Sequence, residues 1–297
     1  MKSIEDVIGK VEEWKGKNVT YKYLPGGLTN RNYKLDVNGE SYVVRIPGQK
    51  TDIFIDREVE LHNTISASNT GVGAKVFKFF KPDYIIITGF INGNLMSSNS
   101  LREDNERIVK AVKAIKKIHT DADFISRFVM FNKFRDYIAI VKKHSMKLPE
   151  GFIDAKRVVE DIEKIFWEKD SKLVPCHNDL LAENFIETGD TMRIIDWELS
   201  GMNDPCFDLG DFSVEIGFNE DQDRLIIETY FGEFRENQFC WLNIYKYMAD
   251  ILWTLWAIIQ HNLSDINFDY WEYGMNRFNR AMNAINSESF RYWRKNL

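Results

Sequence analysis

Strand-like and helix-like patterns occupy different parts of this chain, and that division limits its possible folds more than any other feature. Up to about residue 90 the sequence is built from short runs rich in Tyr, Val, Leu and Ile: Val19–Leu24, Arg31–Val37, Ser41–Ile46, Ala74–Phe80 and Tyr84–Thr88. Asn38-Gly39 lies between the second and third runs, and both residues tolerate positive φ, so the pair is a strong hairpin signal. Lys81-Pro82-Asp83 marks a second hairpin. Ile4, Val7, Ile8, Val11 and Trp14 recur at helical spacing before the strands, and a further helix is expected at about Ile55–Ser68. These signals predict a five-stranded antiparallel sheet with one helix inserted after its third strand.

Beyond residue 90 helical periodicity takes over. Ile108, Val112, Ile115 and Ile118 share one face of a helix predicted over Leu101–His119. Further helices are predicted at about Lys133–Lys143, Ala155–Trp167, Asp221–Phe231, Cys240–His261 and Tyr270–Ile285. Leu173–Asp196 interrupts them with a loop, Cys176–Asn184, and a short strand, Met192–Ile195. Ile91-Asn92-Gly93-Asn94 is the natural boundary, giving a β-rich lobe over 1–91 and a helical lobe over 92–297, with a ligand expected in the cleft between them. The fold class is therefore two-lobed α+β.

Composition narrows the function classes. Lys plus Arg is 39 against 45 for Asp plus Glu, a net charge of −6, which argues against a nucleic-acid binder or a polybasic membrane-surface protein. The most apolar stretch, Ile251–Ile259, is too short to span a bilayer, so no membrane insertion is expected. Cys176, Cys206 and Cys240 stand far apart, with neither a disulfide framework nor a cysteine zinc site in their spacing. The acidic first turn at Glu5 and Asp6 is unlike a signal peptide, and a cytoplasmic protein is expected.

The segment CHNDLLAENFIETGDTMRIIDWE, residues 176–198, carries the chemistry. His177-x-Asp179-x4-Asn184 is followed by Asp196 after a β-prone run. Magnesium-dependent phosphoryl transfer needs one carboxylate near the acceptor hydroxyl, and a carboxamide with a second carboxylate to hold Mg²⁺ at the nucleotide phosphates. Asp179 is the candidate base and Asn184 and Asp196 the candidate metal ligands; His177 would buttress the loop. Each residue alone would more often cap a turn, but the set at this spacing, in a loop followed by a strand, favours the chemical reading.

This segment resembles the catalytic loop and metal-binding aspartate of the choline/ethanolamine kinase family, within the aminoglycoside phosphotransferase and protein-kinase-like superfamily. The resemblance extends over nearly the whole chain and is closest to the bacterial choline kinases. It implies a protein-kinase-like fold, ATP and Mg²⁺ as cofactors, and choline as substrate. LPGGLTNRNYKL resembles the loop covering the ATP phosphates, which points to Gly26, Gly27, Thr29 and Asn30. YVVRIPG resembles the strand bearing the phosphate-contacting base, here Arg45 where lysine is common, and Arg differs from Lys in reach and donor geometry. IDREVEL resembles the helix whose acid pairs with that base; the match favours Glu58, with Glu60 as its rival. The adenine is implied at the hinge after the fifth strand, at Thr88 and Phe90. Leu199 stands where eukaryotic choline kinases carry a substrate-side tyrosine.

The aromatic C-terminal region bears on the substrate. Trp253 and Trp256 are three apart on a predicted helix, Asp250 is one turn earlier, and Phe268, Tyr270, Trp271 and Tyr273 follow a loop. Such a stripe ordinarily packs a core. Beside a kinase-like loop it also suits a quaternary ammonium, which has no N–H to donate and is held by ring faces and a nearby carboxylate. Trp253, Trp256, Tyr270 and Tyr273 are the expected cage, with Asp250 or Glu215 as its negative charge. Ethanolamine, thiamine or an aminoglycoside are rival substrates; an inactive nucleotide or choline binder and a structural interaction protein are rival classes.

Overall fold

The computed structural model describes residues 3–25, 30–48, 55–169, 172–264 and 266–297. Helix α1 (Ile4–Lys10) is capped by Ser3, whose hydroxyl accepts from the Asp6 amide while the Asp6 carboxylate accepts from the Ser3 amide. Strands β1 (Val19–Leu24), β2 (Asn30–Val37) and β3 (Glu40–Pro47) follow, then helix α2 (Arg57–Asn69) and strands β4 (Val76–Phe80) and β5 (Ile85–Gly89). They form the expected five-stranded antiparallel sheet in the order β1-β2-β3-β5-β4. Asn38 and Gly39 have φ of 52° and 88°, so both turn residues are left-handed and set Val37 opposite Glu40. Alternate residues Leu35, Val37, Val44, Ile46, Ile85 and Ile87 point to one face and are covered by Ile4, Val7, Val11 and Trp14.

The remainder is mainly helical. The predicted helix over 101–119 is divided into α3 (Ser98–Arg102) and α4 (Asn105–Asp121), because Asp104 caps the Glu106 amide and restarts the helix. Strand β6 (Asn94–Leu95) precedes them, and α5 (Met130–Lys143) and α6 (Phe152–Glu168) follow. Strand β7 (Val174–Cys176) leads into the loop over residues 177–184. The hairpin of β8 (Phe185–Thr188) and β9 (Thr191–Ile194) leads out of it, and β10 (Gly201–Asn203) pairs back with β7.

Helix α7 (Pro205–Ile216) escapes the periodicity analysis. It is buried on nearly every side and shows no solvent-facing stripe, so the 3.6-residue contrast is lost. Its only clear signal is Asp204-Pro205, an N-cap followed by proline at N1. Helices α8 (Glu220–Phe231), α9 (Glu236–Leu263), α10 (Tyr270–Ile285) and α11 (Glu288–Lys295) complete the chain. The long α9 is the centre of this part, packed against α5, α7 and α10. Gly210 lets α7 approach it closely: a Cβ there would lie 2.6 Å from the Leu242 carbonyl oxygen. On the other side the Thr254 hydroxyl donates to the Gly274 carbonyl at 3.2 Å.

Candidate active site

The loop after β7 is held by α7. Asp208 accepts the His177 amide on Oδ2 and the Asn178 amide on Oδ1, both at 2.7 Å. The same Oδ2 meets Nε2 of His119 at 3.0 Å, and Nδ1 of His119 meets the Tyr230 hydroxyl at 2.7 Å. One turn further along α7, Asp211 accepts the Leu180 amide at 2.7 Å. His177 donates from Nε2 to the Ile195 carbonyl at 2.9 Å, and its Nδ1 accepts the Asp179 amide at 3.3 Å. Burial lowers its pKa, in keeping with a neutral ring that braces the loop.

Asp179 and Asn184 are joined directly: Nδ2 of Asn184 donates to the Asp179 backbone carbonyl at 2.9 Å, which leaves the carboxamide oxygen as a hard donor. Asp196 follows β9 with φ of 71°, a left-handed conformation that Asp tolerates better than most residues. Burial, then the charges of Asp211, Glu215, Asp196 and Glu198, hold the Asp179 carboxyl well above the ordinary carboxylate range. This concentration of acids attracts cations. A carboxamide oxygen beside carboxylates is also a donor set that suits Mg²⁺.

The β-rich part supplies the opposing charge. Arg45 on β3 has Nη1 2.8 Å from Oδ1 of Asp196, and its Nη2 pairs with Glu60 of α2. Arg57 pairs with the other Glu60 oxygen at 2.6 Å. Burial works to lower the Arg45 pKa, but Glu60 and Asp196 outweigh it and the net shift is upward. Asn30 reaches across as well, donating to Glu198 at 2.8 Å.

The acid beside Arg45 is thus Glu60, and the expected pairing with Glu58 is corrected. Asp56 caps α2 and sets its register, so Arg57, Glu60, Leu61 and Thr64 are buried together. Glu58 is on the solvent side, where it meets Lys81 and accepts from the Tyr84 hydroxyl at 2.6 Å. At the hinge, Thr88 lies opposite Val43 in the sheet. The Phe90 amide donates to the Ser41 carbonyl at 3.0 Å, which removes that N–H as an adenine contact, and its ring lies 3.6 Å from the Lys34 ammonium. Gly26, Gly27 and Thr29 lie outside the described residues.

Helices α7, α9 and α10 place the remaining candidates. Trp256 is half-buried, with Tyr270 and Tyr273 at centroid distances of 5.7 and 6.1 Å, and Phe268 adds contacts to both tyrosines. Trp253 is buried and faces α7, where its indole N–H donates to Oδ1 of Asp211 at 2.9 Å. Arg277 stands 4.5 Å from the Tyr273 ring centroid and pairs with Glu215 at 2.6 Å.

Asp250 does not have the expected freedom to face a substrate cation. Its oxygens are taken by Arg280, whose Nε lies at 2.7 Å, and by Arg277 at 3.4 Å. Glu215 differs: one oxygen binds Arg277, while Oε1 is buried and has no hydrogen-bond partner among the described residues. The sequence reading missed Asp208, Asp211 and Arg277. The first two are on the helix it overlooked. Arg277 falls one turn after Tyr273 on the predicted α10 face, which was the available signal.

This fold and site define a kinase-like phosphotransferase. The Choline/ethanolamine kinase family model matches residues 21–245, and the chain belongs to that family. A choline/ethanolamine kinase family protein from Mesorhizobium loti is 32% identical, with 97% of this chain and 96% of that chain covered and a TM-score of 0.88. The choline kinase LicA from Streptococcus pneumoniae shares the fold at 24% identity, with 94% and 97% covered and a TM-score of 0.79. Ethanolamine kinase 2 from Mus musculus is 26% identical over 90% of this chain and 76% of its own length. Membership makes the chain a small-molecule kinase, with ATP use implied by the family. Among the described residues, no helix is long and apolar enough to cross a membrane.

Proposed function

We propose that this chain is a choline kinase, which transfers the γ-phosphoryl group of ATP to the choline hydroxyl and yields phosphocholine and ADP. In this reading residues 1–91 bind the nucleotide and residues 92–297 carry the catalytic loop and the substrate pocket. The reaction is placed in the cytoplasm.

Asp179 orients the hydroxyl for in-line attack and accepts its proton. A raised carboxyl pKa brings the base nearer to neutral pH and strengthens it as a proton acceptor. Asn184 and Asp196 are the residues suited to hold Mg²⁺, which when bound neutralises charge on the phosphates. Arg45, steadied by Glu60, contacts phosphate, and the loop through Gly26, Gly27, Thr29 and Asn30 covers it. Thr88 and the Phe90 carbonyl lie at the adenine end.

The observation that supports the substrate assignment is a cluster of aromatic rings beside a buried acid, Glu215. Trp256, Tyr270 and Tyr273 cluster, while the Glu215 Oε1 has no hydrogen-bond partner among the described residues. A trimethylammonium group needs apolar contact and diffuse negative charge. A primary ammonium brings three N–H donors, and one oxygen does not satisfy three. Ethanolamine is the rival, favoured by the mouse relative and by the same free oxygen. Mg²⁺-dependent ADP release with choline, ethanolamine, thiamine and an aminoglycoside decides between them. Choline should give the highest kcat/KM; an enzyme faster with ethanolamine overturns the assignment.

A further inference from the structure

We propose that Asp211 is a positioning residue that ties the acceptor pocket to the catalytic loop, one carboxylate oxygen holding the Leu180 amide and the other holding the Trp253 indole. The inference rests on the kinase reading above and adds a residue outside the reacting set.

The geometry is specific. Asp211 is fully buried on α7, with Oδ2 2.7 Å from the Leu180 nitrogen and Oδ1 2.9 Å from Nε1 of Trp253. These donors belong to elements far apart in sequence. Leu180 directly follows Asp179, and Trp253 is one helical turn from Trp256 on α9. A single side chain therefore spans from the residue after Asp179 to Trp253, one helical turn from the Trp256 ring cluster.

A carboxylate is an expensive choice for this position. Burial and then the charge of Glu215 raise the Asp211 pKa, and Asp211 in turn adds to the negative charge around Asp179. A position that needed only to pack α7 against α9 would be better filled by an apolar residue. Asparagine has one acceptor oxygen and would leave one of the two N–H groups without a partner. Aspartate is the residue of this size that accepts from both at once.

Anchoring the loop does not by itself account for Asp211. Asp208 already secures the His177 and Asn178 amides. Asp211 adds a hold at position 180 and the link to Trp253. The pocket wall and the base thereby share one support, so the seating of the ammonium end of the acceptor bears on where its hydroxyl meets Asp179. Loss of the link should lower kcat more than it raises KM, because misplaced reacting groups slow the chemical step.

The test uses Trp253→Phe, which keeps an aromatic ring but removes the indole N–H together with part of the ring volume. Alongside it, Asp211→Asn leaves the Trp253 ring in place, so an effect shared by both variants reports the link and not the lost volume. Trp253→Phe should lower kcat for the preferred amino alcohol about 10-fold and leave the KM for ATP unchanged. Amide hydrogen exchange in the 177–184 loop of the unliganded protein should speed up. Asp211→Asn should lower kcat about 10- to 100-fold, and the double variant should be no slower than Asp211→Asn alone. Additive losses, or a Trp253→Phe effect confined to the amino-alcohol KM with unchanged loop exchange, would overturn the proposal. If Asp211→Asn does not fold, the Trp253→Phe exchange measurement decides alone. A wild-type protein that phosphorylates no amino alcohol would sink the kinase-substrate reading, while loop exchange would still judge Asp211 separately.

Discussion

Arg45 on β3 and Asp196 after β9 face each other with Nη1 2.8 Å from Oδ1. A cation from the β-rich part and an acid from the helical part thus meet at the point that the proposed mechanism assigns to the phosphates and their metal. Asp196→Ala removes a hard oxygen donor from that point and leaves Arg45 with Glu60. The Mg²⁺ concentration for half-maximal activity should rise, and activity at saturating choline should fall more than choline affinity. An unchanged magnesium titration would remove Asp196 from the ligand set.

Glu60 and Glu58 make a matched pair for testing the nucleotide side. Glu60→Gln takes the charge from between Arg45 and Arg57, so the KM for ATP should increase about 10-fold or more, with a lower Tm. Glu58→Gln, on the solvent face of the same helix, should alter neither quantity. Equal responses from the two variants would place the Arg45 partner elsewhere.

Asp179→Asn should reduce turnover about 10²- to 10⁴-fold without loss of Tm. The sign follows from the surroundings: burial and four neighbouring acids disfavour the ionised form, so removing the charge relieves the folded state. A folded variant with near wild-type turnover would exclude Asp179 as the base. A large drop in Tm would show that its charge supports the fold.

Much of this was legible in the sequence, and the gaps have physical causes. Asn38-Gly39 fixed a register because few residue pairs accept positive φ twice in succession. The 176–198 segment was readable because its spacing is local: one loop and one strand bring the candidate base and ligands together. Helix α7 was unreadable by amphipathicity because it has no wet face. Glu60 could have been found, since Leu61 and Thr64 share its helical face while Glu58 faces away. Asp250 could not be judged from its own helix, because the arginines that neutralise it come from α10.

Asp250 gives a direct check on that last point. Its carboxylate is buried between Arg277 and Arg280, and burial raises its pKa while both arginines oppose the shift. Asp250→Ala leaves Arg277 paired with Glu215 and the half-exposed Arg280 open to solvent, so it should destabilise the protein by about 1–3 kcal/mol, below the scale for stranding a buried charge. Thermal or urea unfolding reads this. A variant of unchanged stability that loses only choline affinity would return Asp250 to the substrate site.

If the chain is the choline kinase proposed above, Trp256→Ala should narrow a preference for choline over ethanolamine. The two alcohols share the reacting hydroxyl, so discrimination must come from the opposite end. Ethanolamine presents a small, strongly hydrated ammonium whose N–H groups need acceptors. Choline presents methyl surface and diffuse charge, which ring faces accept without hydrogen bonds. Trp256 is half-buried and meets Tyr270 and Tyr273, whereas the indole N–H of Trp253 is occupied by Asp211. Removing the Trp256 ring should weaken kcat/KM for choline by about 1–3 kcal/mol, the scale of a lost apolar pocket contact, and weaken ethanolamine less. In the proposed site Glu215→Gln should weaken both substrates, because it removes the negative charge that either cation would meet there. Competition of the two alcohols at fixed ATP, in wild type and both variants, measures the ratio directly. A ratio unmoved by Trp256→Ala would make the aromatic cluster a packing feature and leave Glu215 as the determinant of cation binding.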